Sequence, residues 1–140
     1  MTGKTIYELR VGDTAFFEKT ITDEDVILFA GVSGDMNPVH IDETYAKQSI
    51  FKGRICHGGL VSALFSTVLG TTLPGNGTIY LSQSSKFVSP VYLNDTIKAM
   101  VEVVEIIESR NRVIFKTTAI NQHEQVVIVG EATVMPPKCD

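Results

Sequence analysis

Two periodicities divide the chain. From residue 96 onward, Ile97, Ala99, Val101 and Val103 alternate with Lys98, Met100 and Glu102, the period of two expected of a strand with one face buried. Val113, Phe115 and Thr117 repeat the pattern, and a last strand is predicted over 126–134 after the turn Asn121-Gln122-His123-Glu124, in which His123 reads as a plain turn residue. Pro136-Pro137 is predicted to end the ordered chain. Upstream, the dense turn signal Pro74-Gly75-Asn76-Gly77 introduces a strand over 78–88, and Asn94-Asp95 marks the turn after it. A first strand is predicted over 13–21, with Phe16, Phe17 and Ile21 apolar.

Between the first strand and the others the period is helical. Thr22 and Asp25 form a T-x-x-D start, and Val26, Phe29 and Ala30 hold helical spacing up to Gly31. Residues 42–48 read as a short polar helix, followed by a turn at Phe51-Lys52-Gly53-Arg54. From Gly59 to Gly70 the pattern is of another kind. Leu60, Val61, Ala63, Leu64, Phe65, Val68 and Leu69 occupy nearly every direction of a helical wheel, with only Ser62, Ser66 and Thr67 polar. A helix apolar all round is buried rather than laid on a surface, and this one is too short to span a bilayer. Ser62 and Ser66, four apart, share a face and form a narrow polar seam. Gly70 is the predicted stop.

The order is therefore strand, helices, one buried helix, then about four strands in succession. A single antiparallel sheet must cover one of its faces, and the apolar helix is the element available to it, which predicts an α+β fold. At 140 residues and 15.3 kDa the chain is expected to form one domain, residues 1–140, with no linker or repeat inside it. The formal charge of −4 is spread without a basic run, which argues against nucleic acid as a partner. The N-terminus carries no apolar signal region and no segment has the length of a membrane span, so a soluble, cytoplasmic protein is expected.

The candidate chemistry lies between Gly34 and Leu69. The loop Asp35-Met36-Asn37-Pro38-Val39-His40 holds a carboxylate and an imidazole. Pro38 fixes its own φ and pushes Asn37 away from helix, so the loop reads as a rigid turn or extended piece on which Asp35 and His40 converge. Turn chemistry and a hydrogen-bonded core histidine account for the same residues equally simply. At the start of the buried helix, Gly58 and Gly59 leave backbone N–H groups uncovered by side chains, suited to a carbonyl oxygen or an anion. Cys56 adjoins His57, but a small buried thiol is the commoner role for cysteine, and with Cys139 there are too few cysteines for a disulfide framework or a structural zinc site. Asp35, His40 and His57 together offer a carboxylate and two imidazoles without the H-x-x-x-H spacing of a metal site. Lys52 and Arg54 are candidates for contacting phosphates and are equally well read as solvated loop charges.

The order D-x-N-P-x-H at 35–40, then His57-Gly58, then a buried helix, resembles the MaoC-like (R)-specific enoyl-CoA hydratases. The likeness continues through F-S-T-V-L-G-T-T-L-P-G-N-G-T-I-Y-L-S-Q-S-S-K-F-V-S-P-V and covers most of the chain. It implies a hotdog fold, an antiparallel sheet wrapped around a long central helix, assembled as a homodimer or dimer of dimers. It further implies an acyl-CoA thioester substrate and reversible addition of water to a trans-2-enoyl-CoA, with no metal or organic cofactor. In that family's terms Asp35 and His40 hold the water, the Gly58 N–H receives the thioester oxygen, Asn37 braces the loop and Ser66 hydrogen-bonds near Asp35. Which of Asp35 and His40 is base and which acid is left open. A hotdog acyl-CoA thioesterase and a non-catalytic acyl-CoA-binding module are the alternatives. The former commonly carries its carboxylate on the buried helix, and the latter needs no acid/base pair.

Overall fold

The computed structural model describes residues 1–138, so Cys139 lies outside the described residues. β1 (Thr14–Thr20) is followed by α1 (Asp23–Ser33), two short helices α2 (Pro38–Ile41) and α3 (Glu43–Lys47), and the central helix α4 (Gly58–Thr71). The remainder is β2 (Ile79–Phe87), β3 (Thr96–Ile107), β4 (Arg112–Ile120) and β5 (Val126–Met135). All five strands form one antiparallel sheet in the order β1-β3-β4-β5-β2. β3, β4 and β5 are joined in sequence, whereas β2 crosses to the far edge and pairs with β5.

The alternating strands bury the face that their pattern predicts. Ile97, Ala99, Val101 and Val103 of β3 and Val113, Phe115, Thr117 and Ala119 of β4 are buried. All of these except Thr117 share one core with Val61, Leu64, Phe65, Val68 and Leu69 of α4. Burying a valine, leucine, isoleucine or phenylalanine side chain contributes roughly 1.5–3 kcal/mol, and the α4–sheet contact buries such side chains from both layers. This is the α+β hotdog arrangement. α4 is not buried all round: Ala63 and Ser66 are exposed along one side, which looks onto β2. It also runs past Gly70 to Thr71, because a glycine in a packed helix costs only about 1 kcal/mol against alanine.

α1 begins as its T-x-x-D signature predicts. Thr22 Oγ1 accepts from the Asp25 N–H at 3.2 Å, and Asp25 Oδ2 accepts from the Thr22 N–H at 3.0 Å. These bonds hold the Asp25 carboxyl below its ordinary pKa, first through the Thr22 backbone. The helix passes through Gly31 and ends at Gly34, whose φ of 80° is the left-handed conformation that closes a helix without a Cβ penalty. Asp42, at the junction of α2 and α3, accepts the Tyr45 N–H at 3.0 Å and starts α3. No described helix is long and apolar enough to cross a membrane.

Candidate active site

Of the two readings open to the segment 35–40, the structure takes the turn: Asn37 stays outside the helix with φ −53° and ψ 122°, and α2 begins at Pro38. Asn37 Oδ1 accepts the Val39 N–H at 3.2 Å, Pro38 stands at the first helical position, and the Asp42 N–H closes the turn on Pro38 O at 2.9 Å. Proline suits that position because its missing N–H has no intrahelical partner in any case, and the same ring keeps Asn37 before it out of the helix, as expected. α2 delivers His40 into the interior, while Asp35 stays on the exposed stretch before it.

His40 Nδ1 lies 2.7 Å from the Ile55 carbonyl oxygen. A carbonyl only accepts, so Nδ1 carries the hydrogen and Nε2 is the nitrogen left with a lone pair. Burial is the largest influence on this ring and pushes its pKa down, with His57 acting the same way, against the Ile55 bond and Asp35. The result is a neutral imidazole near pH 7 with one free acceptor, the form a general base requires.

Ligand atoms of Asp35, His40 and His57 all lie within 4.8 Å of one another. The structure thus brings together the carboxylate and imidazole singled out from the loop. His57, grouped with them in the sequence as a third donor, joins them: its ring stacks on His40 with centroids 3.9 Å apart at 28°, and its Nε2 lies 3.1 Å from the Asp35 carbonyl oxygen. Each histidine has one nitrogen bonded to a backbone carbonyl, which leaves one nitrogen on each ring.

His40 lines a cavity of about 580 Å³ together with Gly58 and Gly59, walled by Phe51, Ile55, Val61, Phe87, Val91 and Ile128. The size falls within the roughly 300–1,000 Å³ of small-molecule sites. Gly58 is the first residue of α4 and His57, its N-cap, makes no side-chain capping bond. The first N–H groups of this helix therefore remain available at the cavity wall. Cys56 also lines the cavity, but burial pushes its thiol up to about 12, which keeps it un-ionised and unsuited to nucleophilic attack.

The other sequence candidates are placed differently. Asn37 turns its side chain onto the loop's own backbone. Ser66 lines a separate open groove with Ser62, Ala63 and β2 residues Tyr80 to Gln83. Among the described residues the hydrogen-bond partners of Asp35 are Ser33, Asn37 and His57, so within one chain Ser66 is not brought to it. Arg54 is no free cation for phosphates: its Nη2 lies 2.6 Å from Asp23 Oδ1 and its Nε donates to the His40 carbonyl at 2.7 Å. It ties α2 to the start of α1. The sequence sets His57 beside Asp35 and His40 only as a third donor and offers Arg54 only as a phosphate contact or loop charge; the bonds they make run to residues 22 and 14 or more positions away.

The sequence profile of the MaoC-like domain matches residues 11–126. The chain belongs to the MaoC-like family. It is 47% identical over 130 residues to the (R)-specific enoyl-CoA hydratase of Rhodospirillum rubrum, covering 93% of this chain and 90% of the relative. It is 42% identical to the 3-hydroxybutyryl-CoA dehydratase of Methylorubrum extorquens, covering 94% and 83%. The solved structure of the R-hydratase PhaJ1 from Pseudomonas aeruginosa, in the unliganded form, superposes with a TM-score of 0.93 at 45% identity, covering 98% of this chain and 88% of that one. The hotdog architecture of this MaoC-like chain is thereby shared with a hydratase over nearly its full length.

Proposed function

We infer that this chain is an (R)-specific enoyl-CoA hydratase, adding water reversibly to a trans-2-enoyl-CoA to give the (3R)-hydroxyacyl-CoA. The observation that carries the reading is the sharing of one cavity by His40, with a single free imidazole nitrogen, and the uncapped Gly58-Gly59 start of α4. Asp35 and His40 hold the attacking water; one of them takes its proton as oxygen bonds to C3, and a proton is returned to C2. As enolate character develops on the thioester oxygen, the Gly58 N–H at the positive end of α4 stabilises it. Asn37 braces the loop, and no metal or organic cofactor enters. The whole chain acts as one domain in the cytoplasm.

The deciding experiment is incubation with crotonyl-CoA followed by chiral analysis of the product. The expected result is (3R)-3-hydroxybutyryl-CoA, with activity unaffected by a chelator. Free CoA would instead indicate a thioesterase, and a (3S) product or loss of activity on chelation would overturn the reading.

Assembly as a homodimer is supported by β2. It is an edge strand with Ile79 and Leu81 exposed, and Leu81 lines the open groove that holds Ser62 and Ser66; an apolar edge of this kind is a template for a second copy. Sedimentation equilibrium should report twice the 15.3 kDa chain mass. Ile79→Lys with Leu81→Lys should shift the protein toward the monomer, and a monomeric wild type would exclude the assembly.

A further inference from the structure

We propose that His57 is a positioning residue for the hydration, holding the Asp35 backbone and the plane of the His40 ring so that both groups meet one water. The proposal rests on the hydratase reading. His57 is only 2% exposed. Its Nε2 bonds the Asp35 carbonyl oxygen at 3.1 Å across 22 residues, and since that oxygen only accepts, the ring is the donor. The other bonds of Asp35 among the described residues run to Ser33 and Asn37, two positions away on either side. Local bonds of that kind shape the turn but do not fix where it sits on the protein. The His57 bond does.

The His40 ring has the complementary need. Its bond to the Ile55 carbonyl fixes one direction within the ring plane and leaves the ring free to tilt about that axis. Stacking on His57 at 3.9 Å removes the tilt, and Phe29, with its centroid 4.8 Å from that of His57 at 55°, backs the stack. His57 is also the N-cap of α4, its carbonyl accepting the Val61 N–H at 3.2 Å. A single buried residue therefore links Asp35, His40 and the helix end that begins with Gly58.

This arrangement has a cost that packing alone does not explain. Among the described residues His57 Nδ1 is buried with no hydrogen-bond partner. Leaving a buried acceptor unpaired is unfavourable, and a phenylalanine would fill the same slot and stack on His40 without it. What phenylalanine cannot supply is the donor to Asp35.

The test uses crotonyl-CoA hydration by the wild type, His57→Phe and His57→Gln, with thermal melting and sedimentation on each. The phenylalanine variant keeps a ring but no donor, and is expected to lose about tenfold to a hundredfold in kcat with KM within about twofold of wild type. Glutamine places an amide N–H near the position of Nε2 and should recover at least about fivefold of that loss. A phenylalanine variant with wild-type kcat, or a glutamine variant no better than it, overturns the proposal. Long-range proton–nitrogen NMR of the ¹⁵N-histidine wild-type protein supplies a readout independent of activity. His57 is expected as the Nε2–H tautomer and His40 as the Nδ1–H tautomer, and a His57 lacking the Nε2 hydrogen overturns the proposal whether or not the protein hydrates enoyl-CoA. A wild type inactive on crotonyl-CoA counts against the hydratase reading instead.

Discussion

Asp35→Asn and His40→Ala should each lower kcat for crotonyl-CoA hydration by about two to four orders of magnitude, and the double variant should be little worse than either. The expectation follows from one water held by two groups. With either partner gone the water is neither oriented nor deprotonated, so removal of the second takes away little more. Losses that multiply would show that the two residues act on separate steps or separate molecules. The amide oxygen that Asp35→Asn introduces can still accept from the Asn37 N–H, as Asp35 Oδ1 does at 3.2 Å, so the loop is retained and the loss reports chemistry.

The pH dependence has a definite sign. Burial lowers the His40 pKa below its ordinary 6.5, so kcat/KM should hold through pH 6.5 and fall only as the ring protonates at a lower pH. Stability follows the same group. Between the unfolded value of 6.5 and the lower folded value, the unfolded chain binds the proton and the folded chain does not. This contribution is therefore fully present above pH 6.5 and lost as pH falls through the folded value. Urea midpoints measured on wild type and His40→Ala should converge in acid relative to their separation at pH 8.

Gly58→Pro should fold and yet lose roughly a hundredfold to a thousandfold in kcat relative to Gly58→Ala, the size expected when one oxyanion donor is removed. Alanine keeps the N–H and proline deletes it. The position suits proline: it is the first residue of α4, and His57 before it has φ −61° and ψ 136°, the extended conformation that a following proline requires. One neighbour complicates the pair. A Cβ at Gly58 would lie 2.7 Å from Phe87 Cε1, so either substitution displaces that ring, which is 56% exposed and free to swing. Both variants are therefore best compared in a Phe87→Ala background, where the side chain they would strike is absent. With helical content and mass matched to the background protein, equal activity of the two would show that the thioester oxygen is held by another donor.

Features that depend on neighbours within a few residues are legible in the chain alone. The alternation of 97–103 and 113–117 names the buried face of β3 and β4 because successive side chains of a strand must point to opposite sides. Thr22 with Asp25, and Asp42, start α1 and α3 because each cap reaches an N–H three positions on. The apolar run after Gly59 named the core helix, and the loop at 35–40 named a carboxylate and an imidazole. It took the folded chain to show that α1 passes Gly31 and stops at Gly34, which of the two readings of the 35–40 loop holds, with Pro38 starting a helical turn, and that β2 lies beside β5 at the edge far from β1. The same holds for Arg54, read as a loop charge and found bridging Asp23 to the His40 carbonyl, and for His57, which stacks on His40 and bonds Asp35. These contacts join residues 14 to 31 positions apart. Periodicity and capping carry information over a turn or two of chain, whereas a contact at that separation exists only once the core has closed and set two segments side by side.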